Sequence, residues 1–257
     1  MIQATTRGRH RVLAVLAMAC TIALPSTADL AEELGAPGRS EEDRARDAGR
    51  KPAEVIAFLG IEPGMTVMDL VASGGWYTEV LSIAVGDGGT VYAQNPPMML
   101  AFRDGYYEKA ITARLAGDRL PNVVRLDRDL AATGLPPGSL DAAITALNFH
   151  DVHNGMGEEA ATGFLVAVKA LLKPGGVLGL IDHYGESGND NNALHRLDAT
   201  TALPLMEDAG FEVVASDILR NPDDDYTKMV FDEAVRGKTD RLLLRLTKPL
   251  EEAAIDD

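Results

Sequence analysis

The chain has 257 residues, of which 46% are hydrophobic and 25% are charged, and this composition suits one globular domain with a full core. Its net charge of −15 argues against a nucleic-acid partner, because phosphates repel an acidic surface.

The first 28 residues have the pattern of a secretory signal peptide. The basic stretch "RGRHR" precedes an apolar run at 12–24, and the small residues Ser26 and Ala28 occupy the −3 and −1 positions of a cleavage site. We predict cleavage after Ala28, export to the periplasm and no membrane span in the mature chain. An uncleaved anchor is the weaker alternative because the apolar run is short for a span. Lipid attachment at Cys20 fits less well, since the apolar run continues past this residue.

Cleavage would also remove Cys20, which is the only cysteine of the chain. The mature protein could then fold in an oxidising compartment without mispairing, and it would hold no disulfide, cysteine nucleophile or thiolate metal site. Residues 29–43 are polar and charged with little apolar periodicity, which predicts a flexible leader that becomes helical near Glu41. The acidic residues 250–257 predict a solvated tail.

From residue 44 onwards, apolar strands alternate with amphipathic helices. The helix "PAEVIAFL" ends at Gly60, and the predicted strands are "TVMDLV", "TVYAQN", "NVVRLD", "AAITALNF", "VLGLIDH", "FEVVASDIL" and "DRLLLRLTKP". This alternation predicts an α/β fold that is doubly wound and Rossmann-like, with a mostly parallel sheet covered by helices on both faces. Ligands of such folds lie beyond the carboxyl ends of the strands, beside the first strand.

The stretch "VMDLVASGGWYTEV" at 67–80 reads as a strand, a small-residue turn and the start of a helix. Gly74 and Gly75 allow close approach of a ligand to the backbone, and a helix beginning near Trp76 offers unpaired amides. Asp69 could orient the turn or accept a hydrogen bond, whereas a tight turn without a ligand is the alternative. The turn lacks the spaced glycines of a dinucleotide site, the GK[ST] of a P-loop and a G-x-S-x-G elbow.

The stretch "ALNFHDVHN" at 146–154 follows the fourth predicted strand and brings polar side chains to the ligand edge. His150 with Asp151 predicts a general base and the carboxylate that orients it. A metal site would need more converging ligands, for instance His183, so we predict no metal ligands. A polar loop without function is the other alternative.

Two further stretches carry polar side chains. The end of the fifth strand, "LIDHYGESG", presents Asp182, His183 and Tyr184 either to the cleft or to the next loop. "HRLD" at 195–198 predicts a helix start. "RNPDDDYTK" at 220–228 has three consecutive acids, but their spacing does not fit a calcium loop, so we predict a solvated loop.

Seven segments in order carry a family resemblance over residues 44–249. They are "RDAGRKPAEVIAFLGIEPGMTVMDL", "SGGWYTEVL", "LNFHD", "LLKPGGVLGLIDH", "LHRLD", "LRNPDDDYTK" and "RGKTDRLLLRLTKP". The chain resembles class I S-adenosylmethionine-dependent methyltransferases, and more narrowly a group of predicted bacterial methyltransferases, many with signal peptides. The resemblance implies a seven-stranded sheet with the last strand antiparallel, and S-adenosylmethionine as the cofactor.

The resemblance also implies a set of cofactor-binding residues, with His150 and Asp151 in the loop after the fourth strand. The implied set is Asp69, Ser73, Gly74, Gly75, Asn95, Asp129 and Asn148. Asn95 stands where an acidic residue usually holds the ribose, and Asp129 matches a position near the adenine. The chain departs from the general pattern D-x-G-x-G-x-G, since Val71 and Ser73 replace glycines.

We therefore predict an exported S-adenosylmethionine-dependent methyltransferase with a small-molecule acceptor. His150, helped by Asp151, would remove a proton from a hydroxyl or amine of that acceptor. The alternative is a non-catalytic exported protein that binds a small molecule and keeps the fold, because the methyl donor is made in the cytoplasm. A metal-dependent hydrolase is the third possibility.

Overall fold

The computed structural model of the chain describes residues 27–250, which form seven α-helices and eight β-strands. The helices are α1 (Thr27–Gly35), α2 (Glu41–Arg50), α3 (Pro52–Leu59), α4 (Trp76–Val85), α5 (Pro97–Leu115, with non-helical backbone at 102–105), α6 (Glu158–Leu171) and α7 (Ala199–Asp208). The strands are β1 (Thr66–Leu70), β2 (Thr90–Gln94), β3 (Val123–Leu126), β4 (Leu140–Ala146), β5 (Leu172–Gly185), β6 (Leu197–Asp198), β7 (Glu212–Ser216) and β8 (Arg241–Thr247). Within this part of the chain, no helix combines the length and the apolar character that a membrane crossing requires.

One sheet organises the domain. Its strand order is β3-β2-β1-β4-β5-β8-β7, and the short β6 pairs with the end of β5. The strands from β1 to β5 pair in parallel, whereas β8 runs antiparallel between β5 and β7. The structure thus confirms the predicted Rossmann-like α/β fold with its antiparallel last strand. The strand order reverses at β1. Folds of this kind bind ligands at such a reversal, so the carboxyl ends of β1 and β4 are the candidate site.

Each face of the sheet carries its own apolar cluster. Successive residues of a strand point to opposite faces, so Val67 of β1 packs with α1, α3 and α4, whereas Met68 packs with α6 and α7. Because both faces are covered, the central strands have near-continuous apolar runs in the sequence.

The flexible leader predicted over residues 29–43 is helical over its first part. Leu30 and Leu34 of α1 are buried against α3 and α4, and their i, i+4 spacing puts them on one face of the helix. A pattern of only two apolar residues was too short to distinguish a docked helix from a polar leader. As expected, α2 begins at Glu41. The predicted signal peptide and acidic tail lie almost entirely outside the described residues.

The loop 220–228, predicted to be solvated, is held onto the end of the sheet by buried charges. Arg196 is fully buried, and its Nη1 donates to Asp224 Oδ2 at 2.7 Å and to the Tyr184 carbonyl at 3.0 Å. The Asp224 side chain is buried as well. A buried charge is tolerated when it is paired and hydrogen-bonded, and this pair fixes the segment that contains His195.

Candidate functional site

The turn after β1 has a left-handed backbone at three alternate positions. Val71 and Ser73 both have φ of 52°, and Gly75 has φ of 78°. Glycine adopts such angles freely, but a β-branched residue like valine rarely does. These three positions are those at which the family pattern has glycines. The turn therefore holds Val71 and Ser73 at angles that glycine favours, at the two positions where glycines of the pattern are replaced.

Two side-chain amides at the end of β2 hold this turn. Val71 N donates to Gln94 Oε1 at 3.1 Å, and Ser73 N donates to Asn95 Oδ1 at 2.7 Å. Asn95 Nδ2 donates back to the Ser73 carbonyl at 3.3 Å, and Asn95 is fully buried. Both polar groups of the Asn95 side chain thus bind the turn itself, and the ribose contact implied by the resemblance stays a prediction.

Asp69 connects the end of β1 to α4 by a side-chain hydrogen bond. Its Oδ2 accepts a hydrogen bond from Thr78 Oγ1 of α4 at 2.6 Å. Burial raises the pKa of Asp69 to about 7, because the hydrogen bonds from Thr78 offset the cost of burying a carboxylate only in part. Of the two roles considered from the sequence, this geometry favours the orientation of the turn.

Gly74 and Gly75 fit the turn against α5. A β-carbon at Gly75 would lie 2.5 Å from Ile111 Cδ1, and one at Gly74 would lie 3.3 Å from Ala110 Cβ. Arg114 Nε also donates to the Gly74 carbonyl at 2.7 Å. The sequence predicted that a ligand would approach these two glycines closely. In the structure, side chains of α5 occupy the space beside their β-carbon positions.

The two remaining predicted cofactor residues lie at the same carboxyl edge of the sheet. Asn148 follows β4 and is half-buried, and its Nδ2 donates to the Ala146 carbonyl at 2.8 Å and lies 3.5 Å from the Val71 carbonyl. Asp129 is exposed after β3, where its carbonyl accepts from Ala132 N at 2.8 Å. The structure therefore brings Asn148 to the turn, whereas Asp129 belongs to the neighbouring strand end.

A cluster of polar side chains lies at the ends of β4 and β5. His150 is buried, with its Nδ1 2.7 Å from Asp182 Oδ1, and its backbone N donates to Asp182 Oδ2 at 2.8 Å. Asp151 Oδ1 lies 3.3 Å from the other ring nitrogen, Nε2, and the Asp151 side chain is 61% exposed. The carboxylate that fixes the ring is therefore Asp182 and not Asp151 as predicted.

These two carboxylates change the protonation of His150. Burial by itself lowers the pKa of His150, but the charge of Asp182 and the hydrogen bonds to Asp151 and Asp182 outweigh burial and raise the pKa to about 10. The raised pKa favours the imidazolium form of the ring at neutral pH, whereas the sequence predicted a general base at this position. The hydrogen bond from His150 in turn holds the pKa of Asp151 below its usual range.

His195 is a member of this cluster that the sequence did not indicate. Its Nδ1 lies 3.4 Å from Asp151 Oδ1, and its ring centroid is 5.5 Å from that of His150. Its φ of 54° places it in the left-handed region. The only sequence signal was "HRLD", which we interpreted as a helix start, and Asp198 of that stretch does cap α7 by accepting from Thr200 N at 2.8 Å.

The other two histidines near the site have separate partners. His183 is buried, and its Nδ1 lies 2.8 Å from Thr239 Oγ1. Burial, with the nearby positive charge of Arg241, lowers the pKa of His183 well below its usual value, so this ring is neutral. His153 Nδ1 lies 2.7 Å from Asn154 Oδ1. Neither histidine contacts Asp151 within the described contacts.

Comparisons with known proteins point to methyltransferases. No family model matches the chain. Two ubiquinone/menaquinone biosynthesis C-methyltransferases UbiE, from Shewanella pealeana and Shewanella halifaxensis, are each 27% identical over 187 residues. The aligned region covers 70% of this chain and 69% of each relative.

Solved structures show the same architecture. An S-adenosylmethionine-dependent methyltransferase from Aquifex aeolicus superposes with a TM-score of 0.59 at 21% identity, covering 87% of this chain and 98% of that one. The YcgJ protein from Bacillus subtilis superposes with a TM-score of 0.54 at 13% identity, covering 78% and 98%. At these identities the likeness concerns the fold, so the chain has the class I methyltransferase fold.

Proposed function

We propose that the protein is an S-adenosylmethionine-dependent methyltransferase that acts on a small-molecule acceptor. The observation that carries this proposal is the turn after β1, where left-handed backbone persists at Val71 and Ser73 at the reversal point of the sheet. Strained backbone persists only where its surroundings enforce it, and it concentrates at functional sites. The similarity to UbiE C-methyltransferases supports the same class of reaction.

In the proposed complex, the backbone of this turn would contact the methyl donor. Ser73, Gly74 and Gly75 would hold the donor on one side and Asn148 on the other, with Asp69 orienting the turn from below. Asp129 would lie toward the adenine end. When bound, the donor supplies a methyl group on an already activated sulfonium. The protein's task is then to position the acceptor and to exclude water.

His150 and Asp151 are the proposed catalytic residues on the acceptor side. His150 lies two residues after Asn148, whose Nδ2 is 3.5 Å from the Val71 carbonyl of the turn, and this supports a place for both residues beside the donor. As an imidazolium, His150 would donate a hydrogen bond to a hydroxyl or amine of the acceptor. Asp151, which is the exposed partner, would accept a hydrogen bond from the same group and orient it, and the proton that the acceptor releases would pass to solvent.

Export to the periplasm remains part of the proposal. Its support is the basic, apolar and small-residue pattern of the first 28 residues. The proposed cleavage site after Ala28 falls at the start of α1, so Leu30 and Leu34 would stay with the mature domain. Mass spectrometry of the protein from its host should give a chain that begins at Asp29. An intact mass that includes Met1 would overturn export by cleavage.

A non-catalytic small-molecule-binding protein of the same fold is the second candidate. The observation that favours it is the end of β2, where Gln94 and Asn95 take the place of an acid and are both engaged by the turn. A neutral amide contributes less to ribose binding than a carboxylate does. Such a protein would bind the donor weakly or not at all.

Calorimetry tests the proposal and separates it from this second candidate. Untagged protein is titrated with S-adenosylmethionine, with S-adenosylhomocysteine and with adenosine alone. We expect one site per chain for the first two ligands and an affinity about fivefold lower for Asn148→Ala, which loses one hydrogen bond. The matched control Asn192→Ala removes an exposed amide and should bind like the parent. No heat with either donor ligand would refute the methyltransferase assignment.

A further inference from the structure

Three side chains at the ends of β4 and β5 bring potential metal ligands together. His150 Nε2 lies 3.3 Å from Asp151 Oδ1, and His195 Nδ1 lies 3.4 Å from the same oxygen. All three ligand atoms lie within 4.8 Å of one another. Ligands that bind zinc tetrahedrally at about 2.0–2.2 Å are separated by roughly 3.3–3.6 Å. Two of the separations in this cluster therefore match those of a bound ion.

Asp182 provides an independent indication. Its side chain is fully buried, and it binds Nδ1 of His150 at 2.7 Å, which aims Nε2 at Asp151 and His195. Histidines that bind metals almost always donate their other ring N–H to a carboxylate or carbonyl, because this fixes the ring and raises its basicity. The arrangement of Asp182, His150 and the two outer ligands follows that scheme.

We propose that His150, Asp151 and His195 bind a divalent first-row transition metal ion such as Zn²⁺. Two imidazoles and one carboxylate suit such ions, whereas Mg²⁺ prefers oxygen ligands alone. The side chains of Asp151 and His195 are 61% and 37% exposed, so the ion would keep a coordination position open to solvent or to an acceptor. With an ion bound, Nε2 of His150 would be a ligand and not a hydrogen-bond donor, so the acceptor-side role proposed above belongs to the metal-free chain.

The test is metal binding by untagged protein in the absence of any methyl donor, so that it does not depend on the proposed function. Calorimetry with Zn²⁺ and Co²⁺ should show one ion per chain at micromolar or tighter affinity, and Mg²⁺ should not bind. His195→Ala and Asp151→Asn should each weaken Zn²⁺ binding by about 100-fold or more, a larger effect than loss of an outer-shell partner. Glu158→Gln, which neutralises an exposed carboxylate at the start of α6, is the matched control and should bind like the parent.

Two further measurements test the role of Asp182 and the coordination by His195. Asp182→Asn should weaken Zn²⁺ binding by about 10–100-fold. Because Asp182 is buried and this variant could unfold, the exposed positions Asp151 and His195 carry the main test, with melting temperatures measured alongside. The visible spectrum of bound Co²⁺ should change in His195→Ala. Absence of metal binding by the parent, or equal binding by the parent and both outer-ligand variants, would overturn the proposal.

Discussion

Gln94 and Asn95 show how single side chains set the shape of the turn after β1. Their amide oxygens accept from Val71 N and Ser73 N, and so hold two residues at left-handed angles that their side chains disfavour. Glycines at these two positions would adopt such angles without help. The two amides thus compensate for the missing glycines, which explains why both are buried although both are polar.

Asn95→Asp tests this role. The new carboxylate would be fully buried and could no longer donate to the Ser73 carbonyl, so we expect the free energy of unfolding to fall by about 2 kcal/mol at pH 7. Denaturant unfolding checks this value, and Asn192→Asp on the surface should change it by less than about 0.5 kcal/mol. Unchanged stability together with tighter donor binding would contradict this role and support the ribose contact predicted from the sequence.

Asp69 should make the stability of the protein depend on pH. Its pKa is raised from 3.8 to about 7 in the folded chain, so the folded state binds the proton more tightly than the unfolded state does. The protonated carboxyl therefore stabilises the fold fully below pH 4, and this stabilisation is lost as the pH rises through 7. The charges of Arg114 and Arg50 oppose the shift without cancelling it. Asp69→Asn keeps an acceptor for Thr78 and removes the titration. The variant should therefore gain on the order of 2–4 kcal/mol relative to the parent between pH 4 and pH 8.

Unfolding in urea at several pH values measures this difference. Asp87→Asn, at an exposed carboxyl, should track the parent across the range. A difference between Asp69→Asn and the parent that stays constant with pH would show that Asp69 titrates normally in the folded state.

At the residue scale, the sequence predicted the position of the candidate site but not the contacts between its side chains. The stretch around His150 follows a strand that ends at the crevice, so its position could be predicted from the strand pattern alone. That Asp182 and not Asp151 fixes the ring depends on the pairing of β4 with β5, and that His195 joins the cluster depends on the folding of the following loop. Both are long-range contacts for which the sequence has no local signal.

At the scale of elements, α1 and the loop 220–228 illustrate the same limit. Strands and the longer helices repeat their apolar pattern several times, and these were predicted from periodicity. By contrast, α1 buries only Leu30 and Leu34, and the loop buries Asp224 against Arg196. Too few apolar residues, or a charge whose partner is distant in sequence, make such segments look solvated.

Leu34→Ala tests whether α1 belongs to the folded domain. Leu34 is 2% exposed, and truncation of a buried leucine costs about 2–5 kcal/mol. We expect a loss of free energy of unfolding in that range, as measured by denaturant unfolding. Glu33→Ala on the exposed side of the same helix should have an effect below about 0.5 kcal/mol. Equal stability of the two variants would mean that residues 27–35 behave as a free leader.

At the scale of the whole molecule, the sheet gathers every candidate side chain at one edge. The turn after β1, the amides after β2 and the cluster after β4 and β5 all lie at carboxyl ends of parallel strands. This follows from the parallel order of the strands and from the reversal at β1, which the alternation of strands and helices already predicted. The central claim is that a methyl donor binds at this edge.

Ultraviolet crosslinking of S-adenosylmethionine labelled in its methyl group tests this claim most directly, with peptide mapping of the labelled protein. We predict label in the peptides that contain residues 69–76 or 148–151, and we expect excess unlabelled S-adenosylhomocysteine to prevent it. A methyl-donor site at the carboxyl ends of β1 and β4 would be contradicted if the label appeared only in other parts of the chain. It would also be contradicted if no label were found, or if excess S-adenosylhomocysteine did not prevent the labelling.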